Sequence, residues 1–179
     1  MTPMRKCDPR HAVVAMLLAA AAMWPAACRP LAAQCVGASC TITVQMPVSD
    51  VLRLTLSAVT TSLGTPVEAD YTAGYVASTG PTATAKANRA YTVTVDATSA
   101  NFTYSGSLTD PVKPASTLTW ATTSGGPFTH NAGTAAALFT GSTGTSGTSQ
   151  GIFFRTTVSY AVDRPGTYRL TVRYTLSAP

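Results

Sequence analysis

Apolar and polar residues alternate without a break from Thr167 to Leu176. Tyr168, Leu170, Val172, Tyr174 and Leu176 fall on one parity; Thr167, Arg169, Thr171, Arg173 and Thr175 fall on the other. Successive side chains of a strand leave opposite faces, so this segment predicts a strand with one buried and one wet face. The turn Asp163-Arg164-Pro165-Gly166 leads into it. The same grammar recurs upstream. Ile42, Val44 and Met46 oppose Thr41, Thr43 and Gln45, and Leu52, Leu54 and Leu56 oppose Arg53, Thr55 and Ser57. Tyr91, Val93 and Val95 oppose Thr92, Thr94 and Asp96, while Ile152, Phe154, Val158 and Tyr160 share a parity against Arg155, Thr157 and Ser159.

Weaker strands are predicted at 75–78, 82–87, 102–104, 117–122 and 136–140. Turn signals separate them: Met46-Pro47, Leu63-Gly64, Thr79-Gly80-Pro81, Asp110-Pro111, Lys113-Pro114 and Gly125-Gly126-Pro127. About eight or nine short strands with frequent turns predict an all-β chain: an antiparallel two-sheet β-sandwich of the immunoglobulin-like kind, with a β-barrel as the alternative. Only Ala132–Leu138 reads as a helical turn. The low-complexity run Gly141–Gly151 has little to pack and reads as a mobile surface loop.

The N-terminus follows a different rule. Arg5, Lys6 and Arg10 precede an apolar run from Ala12 to Trp24, and a small-residue stretch ends at Leu31-Ala32-Ala33. That is the layout of a secretory signal peptide over residues 1–33, and the run is shorter than the roughly 20 residues a spanning helix needs. An uncleaved anchor and lipidation at Cys28 are the competing readings. The remaining residues 34–179 then form one domain. They carry eight Lys or Arg against six Asp or Glu, scattered singly, which argues against a nucleic-acid surface. Thirty of them are Thr, a β-branched residue that favours strands and supplies an uncharged polar face. Cys35 and Cys40 are separated by four residues and predict a small disulfide ring in an oxidising compartment. No companion ligand completes a metal shell, and no cofactor motif is present.

Candidate chemistry is sparse. Gly147-Thr148-Ser149-Gln150-Gly151 matches the G-x-S-x-G elbow of hydrolases, but it lies in a Gly/Ser/Thr tract and a strand follows where the elbow requires a helix. His130 is the one histidine after residue 33 and sits in a predicted loop. Glu68 and Asp70 lack the companions of a calcium loop and read as solvated. Trp120 shares a parity with Leu118 and reads as a core anchor; exposed, it would form a sugar platform with Tyr71 and Tyr75. Tyr168, just after Asp163-Arg164-Pro165-Gly166, has the placing of a tyrosine corner. Asn101-Phe102-Thr103 is formally a glycosylation sequon.

The ending Pro165-Gly166-Thr167-Tyr168-Arg169-Leu170-Thr171-Val172-Arg173-Tyr174 resembles the closing strand of bacterial secreted β-sandwich surface proteins, the spore coat U-like and pilin-like families. Lys86-Ala87-Asn88-Arg89-Ala90-Tyr91-Thr92-Val93-Thr94-Val95 is similar to their middle strand. Gly166 fits the glycine near the end of chaperone-assembled pilins, while Ala178 stands where those pilins have an aromatic residue. The resemblance implies a non-catalytic protein of the envelope, periplasm or cell surface with a structural or adhesive role. Its partners would be itself or another envelope protein, met by strand pairing, with Thr41–Met46 as the expected edge strand. A carbohydrate-binding module acting on polysaccharide is the first rival, and a secreted hydrolase built on His130, a carboxylate and a serine is the second.

Overall fold

The computed structural model describes residues 37–179; the signal-peptide segment, Cys28 and Cys35 lie outside the described residues. The chain divides into two units, Met1–Gln45 and Met46–Pro179. The described part of the first, residues 37–45, carries no regular structure and is exposed throughout. All the elements below belong to the second.

Ten strands, one short α-helix and a 3-10 turn at Ala115–Thr117 make up this unit: β1 (Leu52–Leu56), α1 (Glu68–Ala73), β2 (Tyr75–Ala87), β3 (Tyr91–Ala97), β4 (Thr103–Ser105), β5 (Leu118–Ala121), β6 (His130–Asn131), β7 (Ala136–Gly141), β8 (Thr145–Thr157), β9 (Thr167–Arg169) and β10 (Val172–Ser177). They form a five-stranded sheet of order β1-β2-β8-β5-β6, a three-stranded sheet of order β10-β3-β7, and the pair β4-β9. Every pairing is antiparallel. None of these sheets closes on itself, so the barrel alternative falls and the all-β sandwich-like reading stands.

The period-two patterns fall where a sandwich needs them. Ala83 and Ala85 of β2, Ile152 and Phe154 of β8, and Leu118 and Trp120 of β5 form one buried cluster with Tyr91, Val93 and Val95 of β3 and Leu138 of β7. Small alanines on β2 let the long side chains of the facing strands fill the space between sheets.

Six expectations change. The unbroken alternation from Thr167 to Leu176 is two strands, β9 and β10, in different sheets, with Leu170 and Thr171 outside both. The face expected to run from Ile152 to Tyr160 stops short, since β8 ends at Thr157 and Tyr160 is 70% exposed. The segment Thr41–Met46 alternates but joins no ladder: a strand exists only by pairing, and alternation records compatibility with a sheet, not the presence of a neighbour. The tract Gly141–Gly151 is no free loop. Most of it starts β8, where Thr145, Thr148, Ser149, Gln150 and Gly151 lie opposite Ala87, Ala85, Thr84, Ala83 and Thr82. Backbone hydrogen bonds need no side-chain volume, and threonine favours extended backbone. The residues expected as separate strands at 75–78 and 82–87 form one bulged strand, the register shifting between Thr79 and Thr82 beside Pro81. Ala132–Leu138 contains no helix, whereas Glu68–Ala73 does: Asp70 turns back to accept the Val67 N–H at 2.8 Å, and Gly74 ends the helix in the left-handed region at φ 81°.

Candidate functional site

The residues singled out for chemistry do not converge. His130 is exposed, and its ring stacks on Trp120 with centroids 4.4 Å apart. Gly147–Gly151 lies within β8, a strand and not an elbow leading to a helix. Glu68 and Asp70 belong to α1, where Asp70 serves as a cap. Among the described residues, no three His, Cys, Asp or Glu side chains gather to hold a metal. The expected aromatic platform is also dispersed. Trp120 is 0% exposed and can offer no face to a sugar. Tyr71 stacks on Tyr160 at 4.3 Å, and Tyr75 lies under the Arg155 guanidinium at 3.6 Å. Tyr168 does form a tyrosine corner: its hydroxyl accepts the Arg164 N–H at 2.8 Å and donates to the Arg164 carbonyl at 2.9 Å.

The structure instead presents a feature that residue-by-residue reading missed: an open apolar groove of about 1070 Å³. Phe102, Leu118 and Phe154, all buried, line it together with Leu56 at the end of β1, with Leu170 between β9 and β10, and with Val172 at the start of β10. Its origin is an imbalance in coverage. On β3, Val93 and Val95 are fully buried. On the neighbouring edge strand β10, the equivalent side chains Val172, Tyr174 and Leu176 are only half-buried, as are Leu54 and Leu56 on the edge strand β1. Two edge strands therefore point apolar side chains at a core that nothing in the sheets finishes covering.

Polar groups at the groove reinforce this. Lys113 and Asp163 form a buried ion pair, Nζ to Oδ1 2.7 Å, with side chains 6% and 9% exposed. The Lys113 ammonium also donates to the Thr157 carbonyl at 2.6 Å, and the other Asp163 oxygen accepts the Ser159 N–H at 2.9 Å. The pair thus ties the loop before β5 to the turn after β8 and holds one side of the groove in shape. Val112, in the left-handed region at φ 54°, directs the chain into Lys113; Asp110 accepts its N–H at 2.7 Å. The Thr156 and Tyr174 hydroxyls, both lining the groove, are buried without a hydrogen-bond partner. Burial holds the Tyr174 hydroxyl well above the ordinary tyrosine value.

The chain also carries an exposed apolar stretch outside the sheets. Ile42, Val44, Met46 and Val48 are 86%, 83%, 81% and 70% exposed. They are spaced by two, so in an extended chain they share one face over about 20 Å. Alternation marked these residues in the sequence; the groove arises from strands distant in sequence and left no local signal.

No protein-family model, curated protein or solved structure matches the chain.

Proposed function

We propose that this chain is a non-catalytic structural module of the bacterial envelope or cell surface, exported by its first 33 residues. Copies assemble by strand exchange. The segment Thr41–Val48 of one copy enters the groove of another and pairs with β10 along Val172–Tyr174, the part of that edge strand that lines the groove, extending the sheet and covering the core. The observation that carries this reading is the coexistence, in one chain, of an exposed stretch whose apolar side chains alternate with polar ones and an open groove lined by residues of two edge strands. Burying four such side chains is worth about 6–12 kcal/mol before the cost of ordering both partners, enough for a stable contact. Unpaired edges supply the backbone hydrogen bonds, and alternate side chains supply the selectivity. The resemblance to pilin-like surface proteins points the same way. Cys40 is a half-cystine, which fits the Cys35–Cys40 ring as a clasp just ahead of the donated segment.

Sedimentation of the exported chain over a concentration series tests the proposal. Association should grow with concentration and disappear in Ile42→Asp/Val44→Asp. A chain that stays monomeric to millimolar concentration, or a double variant that associates as the parent does, refutes it.

A further inference from the structure

Between β1 and α1 the chain makes a long excursion along the groove. Residues 58–66 all line it. Both ends of the excursion are pinned. At one end the Ser57 N–H donates to the Thr82 carbonyl at 3.0 Å and the Ser57 hydroxyl accepts the Thr82 N–H at 2.9 Å; at the other the chain enters α1, which Asp70 caps by accepting the Val67 N–H and whose Tyr71 stacks on Tyr160 at 4.3 Å. Between the pins, the sole hydrogen bond among the described residues is internal, from the Gly64 N–H to the Ser62 hydroxyl at 3.1 Å.

One large side chain reaches inward. Leu63 is half-buried against the core cluster, whereas Val59 in the same stretch is 95% exposed. Gly64, in the left-handed region at φ 82°, makes the turn immediately after it. A stretch with fixed ends, no hydrogen bonds to the body and one apolar anchor belongs to the least stable part of a fold, the part that opens locally while the rest stays closed.

We infer that residues 58–66 are a strap, and that Leu63 is a resident plug in the groove. It covers part of the apolar surface in the unassembled chain and gives way when an extended apolar segment of a second copy enters. The inference rests on the assembly reading above and adds a regulatory element to it. The plug slows capture, because the incoming segment must displace Leu63 or wait for it to leave. Chains in transit are thereby kept from pairing at first encounter. A lost plug changes the rate of entry more than the final fold, since the pins at Ser57 and Val67 and the buried cluster do not depend on it.

The experiment uses the full chain and a fluorescent peptide spanning residues 39–49, with capture followed by anisotropy. Leu63→Ser should capture the peptide on the order of tenfold faster than the parent. Leu63→Val, which keeps a smaller apolar anchor and folds regardless, should fall between them. Peptide captured equally fast by all three chains overturns the strap and leaves the assembly reading standing. Peptide captured by none of them overturns both. Slower capture by Leu63→Ser assigns Leu63 to the binding wall and also overturns the strap.

Discussion

Replacing Trp120 by alanine is the sharpest test of how the core is built. The ring is 0% exposed, lies across the ladder from Phe154 on one side and His130 on the other, and belongs to the cluster joining the two larger sheets. A buried tryptophan removes roughly 200 Å² from water, worth about 5 kcal/mol at 25 cal/mol per Å². Its indole N–H is buried without a partner, which offsets about 1–2 kcal/mol of that gain. The expected cost of Trp120→Ala is therefore about 3–4 kcal/mol, within the usual range of roughly 3–5 kcal/mol for truncating a large aromatic core residue. Domains of this size have total stabilities of about 5–15 kcal/mol, so the variant should be marginal. Urea denaturation followed by far-ultraviolet circular dichroism measures the difference directly, with the denaturation slope unchanged if both states keep their compactness. Trp120→Phe should lose less than half as much, because it keeps most of the packing and removes the orphaned N–H. A Trp120→Ala chain as stable as the parent, but deficient in binding polysaccharide, would refute this reasoning and restore the sugar-platform reading.

Four further outcomes follow from the same structure. Val44→Pro should leave the unfolding free energy of the unassembled chain within about 0.5 kcal/mol of the parent, because residues 41–46 pair with nothing there, yet it should weaken association measured by sedimentation. Lys113→Met alone should destabilise by about 3–5 kcal/mol, as it strands Asp163 in a buried site, and Lys113→Met/Asp163→Leu should recover much of that loss in thermal melts. The buried Tyr174 hydroxyl has its pKa raised above 10, so folding favours the protonated phenol. Below pH 10 the phenol is protonated in the folded and unfolded chain alike; above it the unfolded chain ionises first and stability falls, so the drop in urea midpoint between pH 9 and pH 11 should be smaller in Tyr174→Phe. At neutral pH the same substitution should stabilise by about 1 kcal/mol, since it removes a buried unpartnered hydroxyl.

Local patterning made the strands legible. The alternation at Tyr91–Asp96 became a strand with the expected parity inward, and so did Leu52–Leu56 apart from the exposed Leu52, because burial of one face is written directly into a period of two; Thr167–Leu176 kept its parity but split into β9 and β10 in different sheets. The corner hydroxyl of Tyr168 was legible for the same reason: its partner lies four residues away. Failures arose where the outcome depended on distant residues. The Gly/Ser/Thr tract is recruited into β8 by the alanine-rich half of β2, roughly sixty residues earlier, and its own composition gives no hint of that. Thr41–Met46 failed in the opposite direction, having strand grammar without a partner in the described structure. The groove belongs to the same class. Leu56, Phe102, Leu118, Phe154, Leu170 and Val172 come from five regions of the chain, and only the fold shows that no strand covers them. The buried Lys113–Asp163 pair was likewise invisible, its members being 50 residues apart.

Covalent capture between copies tests strand exchange most directly. One preparation carries Val44→Cys and a second carries Leu170→Cys or Val172→Cys; the two are mixed, allowed to assemble and mildly oxidised. The account predicts a disulfide-linked dimer of one chain of each kind, formed at concentrations where neither preparation alone cross-links efficiently, and lost when Ile42→Asp is added to the donor chain. Folded chains that yield no mixed dimer at either Leu170 or Val172, under conditions where the parent associates, would contradict it.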